Sequence, residues 1–192
     1  RYGNNQLQSI FAELLDRSEV LTRRALRAIP NGTYKYTDYL DNDGIDLDTP
    51  VRISVAVTID DESFHCDFAG TSRQTRGPFN AVPSGSQAAA YFAVRTLTDP
   101  TIPTNGGCFR PVSLSLPEGS LVNPQEPAPV NSRTSTIKRI ASCIVGALKE
   151  ALPDRVPADS SSALLVLMFG GQHASGERFV VGEFNAGGSG AG

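Results

Sequence analysis

A strict alternation of apolar and polar residues runs from Val51 to Ile59 and allows little except a strand with one buried face. Three acidic residues, 60–62, follow as a tight turn, and residues 64–68 then alternate in the same way. The pattern predicts a half-exposed β-hairpin whose second strand leads directly into a long polar loop.

This loop spans Asp67 to Asn80 and is called the polar loop below. Six consecutive hydrogen-bonding side chains lie between its two glycines, Gly70 and Gly77. Backbone buried in such a segment would lack hydrogen-bond partners, so the loop is predicted to lie on the surface. Phenylalanines near both ends indicate that the loop is anchored in a core. A pinned polar loop of this kind is a candidate for contact with a ligand or another subunit.

Three further segments are predicted as helices: residues 4–29, residues 84–97, and a stretch from about residue 137 to Leu152. Two apolar runs, 163–169 and 178–184, predict a second hairpin. Because strands come in adjacent pairs and do not alternate strictly with helices, we expect an α+β fold with antiparallel hairpins or a mixed sheet packed with about three helices. We expect residues 1–192 to form one domain fragment, incomplete at both ends.

Composition excludes several classes of protein. The formal net charge is −3, with no long run of like charge, which argues against a nonspecific nucleic-acid binder. The three cysteines are isolated and lack CxxC spacing, so we expect neither a structural zinc site nor a disulfide framework, and we expect a cytoplasmic location. No apolar run approaches the ~18 residues of a membrane span.

Several polar segments have two interpretations. The five aspartates within residues 38–48 do not match a helix–loop–helix calcium loop, which leaves a solvated acidic loop or an adventitious cation site. His65 and Asp67 share a strand face, either as exposed residues or as part of a metal site. Cys108 is a lone thiol with no identifiable base. The glycine-rich segment 185–192 lacks the GK[ST] ending of a phosphate-binding P-loop.

Two arginines also have alternative interpretations. Arg110 follows adjacent glycines whose N–H groups are typical of anion binding, or it is an exposed residue of a tight turn. Arg133 and neighbouring hydroxyls lie at a predicted helix N-terminus, where they form an anion site or ordinary caps.

Five segments, in this order along the chain, resemble the hydantoinase B/oxoprolinase family, and the resemblance covers essentially the whole chain. They are residues 67–80, 105–111, 117–124, 153–158 and 187–191.

The resemblance implies a subunit or domain that works with a hydantoinase A-like partner binding ATP and magnesium. Such pairs hydrolyse cyclic amides with consumption of ATP, and relatives carboxylate ketones. A carboxylase subunit is therefore the alternative enzyme, and a non-catalytic module that binds the partner in a hetero-oligomer is the third hypothesis. The resemblance places a divalent metal in a part of the subunit not present here, so no ligand role is transferred to His65 or His173.

Within this chain the resemblance implies positioning and charge stabilisation, not nucleophilic attack. Arg110 and Arg133 suit an anionic intermediate or a substrate carboxylate, and Asn105 and Ser72 suit hydrogen bonding. The full set of residues expected to face substrate or partner is Asp67, Thr71, Ser72, Gln74, Asn80, Asn105, Arg110 and Arg133.

Overall fold

A four-stranded mixed sheet organises the first 156 residues. The computed structural model describes residues 3–162 and 164–188, and it divides the chain into two units, Arg1–Val156 and Pro157–Gly192. In the first unit the strand order is β1 (Gly32–Leu40), β2 (Val51–Asp60), β3 (Ser63–Asp67) and β4 (Val112–Ser115). The first three strands pair antiparallel, and β4 pairs parallel to β3.

The alternation in β2 and β3 builds one face of the core. Every second residue of β2 from Val51 to Ile59 is buried, and so are the alternate residues of β3. Helix α3 (Arg133–Ala147) contacts β1 and β2, and α2 (Pro83–Leu97) packs on α3. Full burial of an Ile, Val or Phe side chain stabilises by about 1.5–3 kcal/mol, so the alternation fixes which face of the sheet receives the helices.

Helix α1 (Asn4–Leu26) ends earlier than the sequence predicts, and it buries two hydroxyl side chains. It ends at Leu26 instead of residue 29, and it buries Ser18 and Thr22 with Leu26. The two hydroxyls donate to the carbonyls four residues before them, at 3.0 Å each, which removes the cost of burying them. The apolar residues Phe11 and Leu14, near the start of the helix, are instead exposed.

Three further elements depart from the sequence interpretation. Helix α3 runs from Arg133 to Ala147, whereas the sequence predicts it from about residue 137 to Leu152. Strand β1 includes residues 38–40, which the sequence pattern assigns to an acidic loop. The structure pairs these three residues with the start of β2. Helix α2 begins at Pro83, one residue before the predicted start, with Val82 preceding it and no side-chain cap. The predicted hairpin of β2 and β3 is confirmed.

The second unit contains an antiparallel hairpin, β5 (Leu164–Gln172) and β6 (Arg178–Ala186), as the sequence predicted. With three helices and two sheets among the described residues, the α+β class is confirmed. Residues 189–191 of the last family-like segment lie outside the described residues. Within the ranges that are described, no helix is long and apolar enough to cross a membrane.

Candidate functional site

The polar loop extends the sheet with its own side chains. After β3 ends, Ser72 bonds to Arg52 of β2 twice: its N–H donates to the Arg52 carbonyl at 2.9 Å, and its Oγ accepts from the Arg52 N–H at 2.9 Å. Thr71 Oγ1 accepts from the Ser54 N–H at 3.1 Å and donates to the Ser54 carbonyl at 3.0 Å. Asp67 Oδ1 accepts from the Ala69 N–H at 3.0 Å and shapes the turn between strand and loop.

The turn at residues 117–125 holds the middle of the polar loop. The Ser72 carbonyl accepts from the Leu121 N–H, and the Gln74 N–H donates to the Gly119 carbonyl, both at 2.9 Å. The Gln74 side chain accepts from the Gln125 N–H at 2.7 Å and donates to the Gln125 carbonyl at 3.2 Å. The structure therefore brings together two of the family-like segments, 67–80 and 117–124.

Asn80 closes the loop from inside the protein. Its side chain is completely buried, and its Nδ2 lies 3.0 Å from the Thr75 carbonyl, 3.2 Å from the Gly77 carbonyl and 2.9 Å from the Pro129 carbonyl. Its Oδ1 accepts from the Thr75 N–H at 2.8 Å. These bonds fix the conformation of residues 75–80.

The side chain of Asp43 contacts the polar loop, although Asp43 lies 34 positions before its partner Gly77 in the sequence. Its Oδ2 accepts from the Gly77 N–H at 3.1 Å, and its Oδ1 accepts from the N–H groups of Asp46 and Ile45 at 2.7 and 2.9 Å. The bonds from Asp46 and Ile45 are the main reason that the pKa of the Asp43 carboxyl lies below its usual value. The side chain is buried, so a solvated acidic loop is the wrong interpretation at this position.

Five N–H groups of the polar-loop backbone donate hydrogen bonds within the protein. The N–H groups of Thr71, Ser72, Gln74, Thr75 and Gly77 all donate within the protein. A phosphate-binding loop needs several N–H groups directed at the ligand. These five N–H groups are therefore not free to bind a phosphate.

Asn105 and Arg110 lie outside the polar loop, where both contact helix α1. Asn105 precedes and caps the 3₁₀ helix Gly106–Phe109: its Oδ1 accepts from the Gly107 N–H at 2.9 Å, and its Nδ2 donates to Ser18 Oγ at 2.8 Å. Arg110 Nη1 bonds to Asp16 at 2.6 Å and to Glu19 at 2.8 Å. Glu19 also pairs with Arg23, and the two arginines, Arg110 first, hold the pKa of its carboxyl below the usual value.

These contacts bear on whether Arg110 and the adjacent glycines bind an anion. Two carboxylates compensate the charge of Arg110, and the Gly107 N–H is already bonded, so an open anion site is not formed. Cys108 is buried, and its Sγ donates to the Asn105 carbonyl at 3.0 Å. This arrangement attaches the 105–111 segment to α1.

Arg133 lies at the start of α3, which is bonded to the end of the polar loop. The Ser132 N–H donates to the Pro78 carbonyl at 2.8 Å, and the Thr136 hydroxyl donates to the Phe79 carbonyl. The exposed Arg133 side chain donates to the Val130 carbonyl at 3.3 Å. Arg133 thus remains near the polar loop, with its charge exposed.

Sequence reasoning overlooked three arginines on or beside the polar loop. Arg73 and Arg76 belong to the loop itself, and Arg52 is joined to it through Ser72. All three are exposed, and within the described ranges their guanidinium groups form neither ion pairs nor hydrogen bonds. Arg76 is close enough to Asp43 to contribute to the lowered pKa of that carboxyl. Together with Arg133 these exposed arginines on and beside the polar loop are called the arginine rim, and they are the candidates for binding an anionic group.

His65 lies on the outer face of the sheet, in register with Thr58 of β2 and Ser113 of β4. Its Nδ1 is 2.8 Å from Ser113 Oγ, and its Nε2 is 3.1 Å from Ser115 Oγ. Asp67 bonds to the backbone and not to this imidazole. In the part of the chain that the structure describes, no three or more His, Cys, Asp or Glu side chains group as metal ligands would.

The fold is similar to that of a caprolactamase. The crystal structure of an ATP-dependent caprolactamase from Pseudomonas jessenii matches with a TM-score of 0.78 and 27% sequence identity. The match covers 94% of this chain and 35% of the caprolactamase chain.

The chain belongs to the hydantoinase B/oxoprolinase family, whose model matches residues 1–192. A protein assigned as the B-type subunit of a D-/L-hydantoinase from a Pseudomonas species is 34% identical over 90% of this chain and 31% of its own length. The beta subunit of the Pseudomonas jessenii caprolactamase is 32% identical over 82% of this chain and 27% of its own length. The chain therefore spans about a third or less of the proteins that it matches, and the resemblance recognised in the sequence is confirmed.

Proposed function

We propose that this chain is part of a subunit or domain of an ATP-dependent cyclic-amide hydrolase that acts with a hydantoinase A-like partner. The observation that carries this proposal is the family match over residues 1–192, joined by the similarity to a B-type hydantoinase subunit. The similarity to a caprolactamase described as ATP-dependent supports the use of ATP. Buried free thiols at Cys66, Cys108 and Cys143 fit a reducing cytoplasm.

The proposed chemistry explains why exposed arginines belong beside such a site. An unstrained amide is a poor electrophile at neutral pH, and ATP supplies the activation that allows water to attack it. The family resemblance leads us to assign ATP and magnesium to the partner, and five polar-loop N–H groups are already bonded within the protein. The arginine rim then binds and orients an anionic group, which is either a substrate carboxylate or charge that develops during the reaction.

The class of reaction is tested with the full protein and its partner. Hydantoin, 5-oxoproline and caprolactam are each incubated with ATP and magnesium, and ring opening is measured together with ADP release. A parallel assay supplies acetone and bicarbonate. We expect ring opening that requires ATP for at least one lactam or hydantoin; carboxylation without ring opening would instead support the ketone carboxylase.

The role of the arginine rim is tested by Arg73→Ala and Arg76→Ala in the same complex. Loss of a positioned cationic donor lowers turnover by about 10²-fold, and the complex should still assemble. Arg24→Ala is the matched control, because Arg24 is an exposed arginine of α1 with no hydrogen-bond or ion-pair partner in the described ranges. Lost assembly with unchanged turnover per assembled complex would favour the partner-binding module.

Arg110→Ala separates a substrate role from attachment of the 105–111 segment. The two ion pairs of Arg110 lead us to expect weaker attachment of this segment to α1, with kcat of the assembled complex within about twofold of wild type. A large loss of turnover with an intact complex would instead place Arg110 in the substrate site. The roles of Asp67, Thr71 and Asn105 as substrate-facing residues stay predictions.

A further inference from the structure

The β5–β6 hairpin presents large apolar side chains on both of its faces. The pairing register places Leu165, Leu167, Phe169 and Val181 on one face, and it places Val166, Met168, Val180 and Phe184 on the other. Each of these eight side chains is between 47% and 71% exposed.

On both faces, a hairpin of this composition exposes apolar side chains to water, which is energetically unfavourable. A two-stranded hairpin is marginally stable by itself, and strands that face solvent on one side carry polar residues at alternate positions. Leu165 to Phe169 is instead a continuous apolar run of five residues, which is typical of strands covered on both faces. The hairpin therefore needs two covering layers.

A second copy of this chain does not supply two layers. A two-fold contact joins one patch to the same patch of the other copy, so it covers one face of the hairpin and leaves the opposite face open. The matched relatives offer another source, because the chain corresponds to only 31% of one of them and 27% of another. Additional polypeptide of the extent found in these relatives is large enough to cover both faces of the hairpin.

We propose that β5 and β6 are interior strands of a larger sheet, covered on both faces by polypeptide of the same protein outside these 192 residues. The hairpin then joins this chain to the remainder of its subunit. The inference does not depend on the reaction that the subunit catalyses.

Hydrogen exchange of the full-length protein tests the pairing of both strand edges. In an antiparallel hairpin without neighbours, N–H groups that point across the hairpin alternate with N–H groups that point outward. If β5 and β6 are interior strands, consecutive amides from residue 165 to 171 and from residue 179 to 185 are all protected, by about 10³-fold or more. Alternating protected and unprotected amides in the full-length protein would overturn the proposal, and this measurement requires no variant to fold.

Two neighbouring substitutions test the two faces. Leu167→Lys and Met168→Lys place the same charge on opposite faces of β5. We expect both to lower the Tm of the full-length protein by several degrees, whereas Glu177→Gln in the exposed turn leaves Tm unchanged. If either lysine variant keeps the wild-type Tm, that face is open and the proposal fails.

Light scattering on the same proteins distinguishes the occupant. A covering layer from the same polypeptide leaves the number of copies in the complex unchanged when a folded lysine variant is compared with wild type. Conversion of a dimer to a monomer by one of the two variants, with the other tolerated, would assign the face to a second copy and overturn the proposal.

Discussion

Asp43 and Gly77 are in contact through both side chain and backbone. The Asp43 carboxylate accepts from the Gly77 N–H at 3.1 Å, and the Asp43 carbonyl oxygen lies 1.5 Å from the point where a β-carbon on Gly77 would stand. Only glycine allows the backbones to approach so closely. The polar loop is therefore held by a residue from the connection between β1 and β2, which has no sequence proximity to it.

Asp43→Asn tests this contact. An asparagine retains one acceptor oxygen but presents an NH₂ group either to the Gly77 N–H or to the N–H groups of Ile45 and Asp46. A buried donor is left without an acceptor, so we expect the free energy of unfolding to fall by about 1–3 kcal/mol. Asp41→Asn is the control, because Asp41 is exposed and has no hydrogen-bond partner in the described ranges. Urea unfolding measures the difference, and equal stability of the two variants would contradict the proposed contact.

Asn80→Asp tests the closure of the loop. The carboxylate would replace a donor that faces the carbonyls of Thr75, Gly77 and Pro129, so like partial charges would meet in a buried site. We expect a loss of more than about 3 kcal/mol in the free energy of unfolding. Thermal and urea unfolding measure this loss.

Asn42→Asp provides the matched control for that substitution. Asn42 uses only its Oδ1, which accepts from the Gly44 N–H at 2.9 Å in the described part of the chain, and aspartate keeps this acceptor. We expect a change within about 0.5 kcal/mol. Comparable effects of the two substitutions would mean that charge in this region, and not the lost donor, determines stability.

The sequence predicted the parts of this fold that depend on local pattern. Alternation in β2 predicted a strand with one buried face, because successive side chains point to opposite sides of a strand. The same pattern predicted that β3 leads into the polar loop. The helices were predicted by spacing, and their observed ends differ from the predicted ones by up to five residues.

The remainder depends on contacts between distant residues that leave no local signal. Gln74 bonds to Gln125 and Asn105 bonds to Ser18 across many tens of positions. The resemblance implies that Asn80 faces substrate or partner, and only the fold shows that its side chain is buried. Arg73 and Arg76 were visible in the sequence, but whether carboxylates of the described ranges pair with them could be established only in three dimensions.

Gly107→Ala tests the approach of the 3₁₀ helix to α1. A β-carbon on Gly107 would stand 1.9 Å from the Leu15 carbonyl oxygen, which is backbone and cannot rotate away. We expect a loss of about 1–3 kcal/mol in the free energy of unfolding as the segment shifts. Gly106→Ala is the adjacent control, because its nearest neighbour is Leu15 Cδ2 at 3.8 Å, an ordinary contact. Equal stability of the two variants would refute the close packing.

The decrease in the free energy of unfolding at acidic pH tests the ion pairs around Glu19. Its pKa in the folded protein lies below the ordinary value of 4.5, because Arg110 and Arg23 favour the carboxylate. The folded state then binds fewer protons than the unfolded state, so the contribution of Glu19 is complete above pH 4.5 and is lost as pH falls through the folded pKa. Urea unfolding between about pH 6 and pH 3 should therefore show a steeper loss for wild type than for Glu19→Gln. The difference should shrink at about 1 M salt, because the pairs are partly exposed. Glu13→Gln, at an exposed position of α1 outside any ion pair in the described ranges, should keep the wild-type slope. A Glu19→Gln variant with that same slope would show that the pairs do not stabilise the folded state.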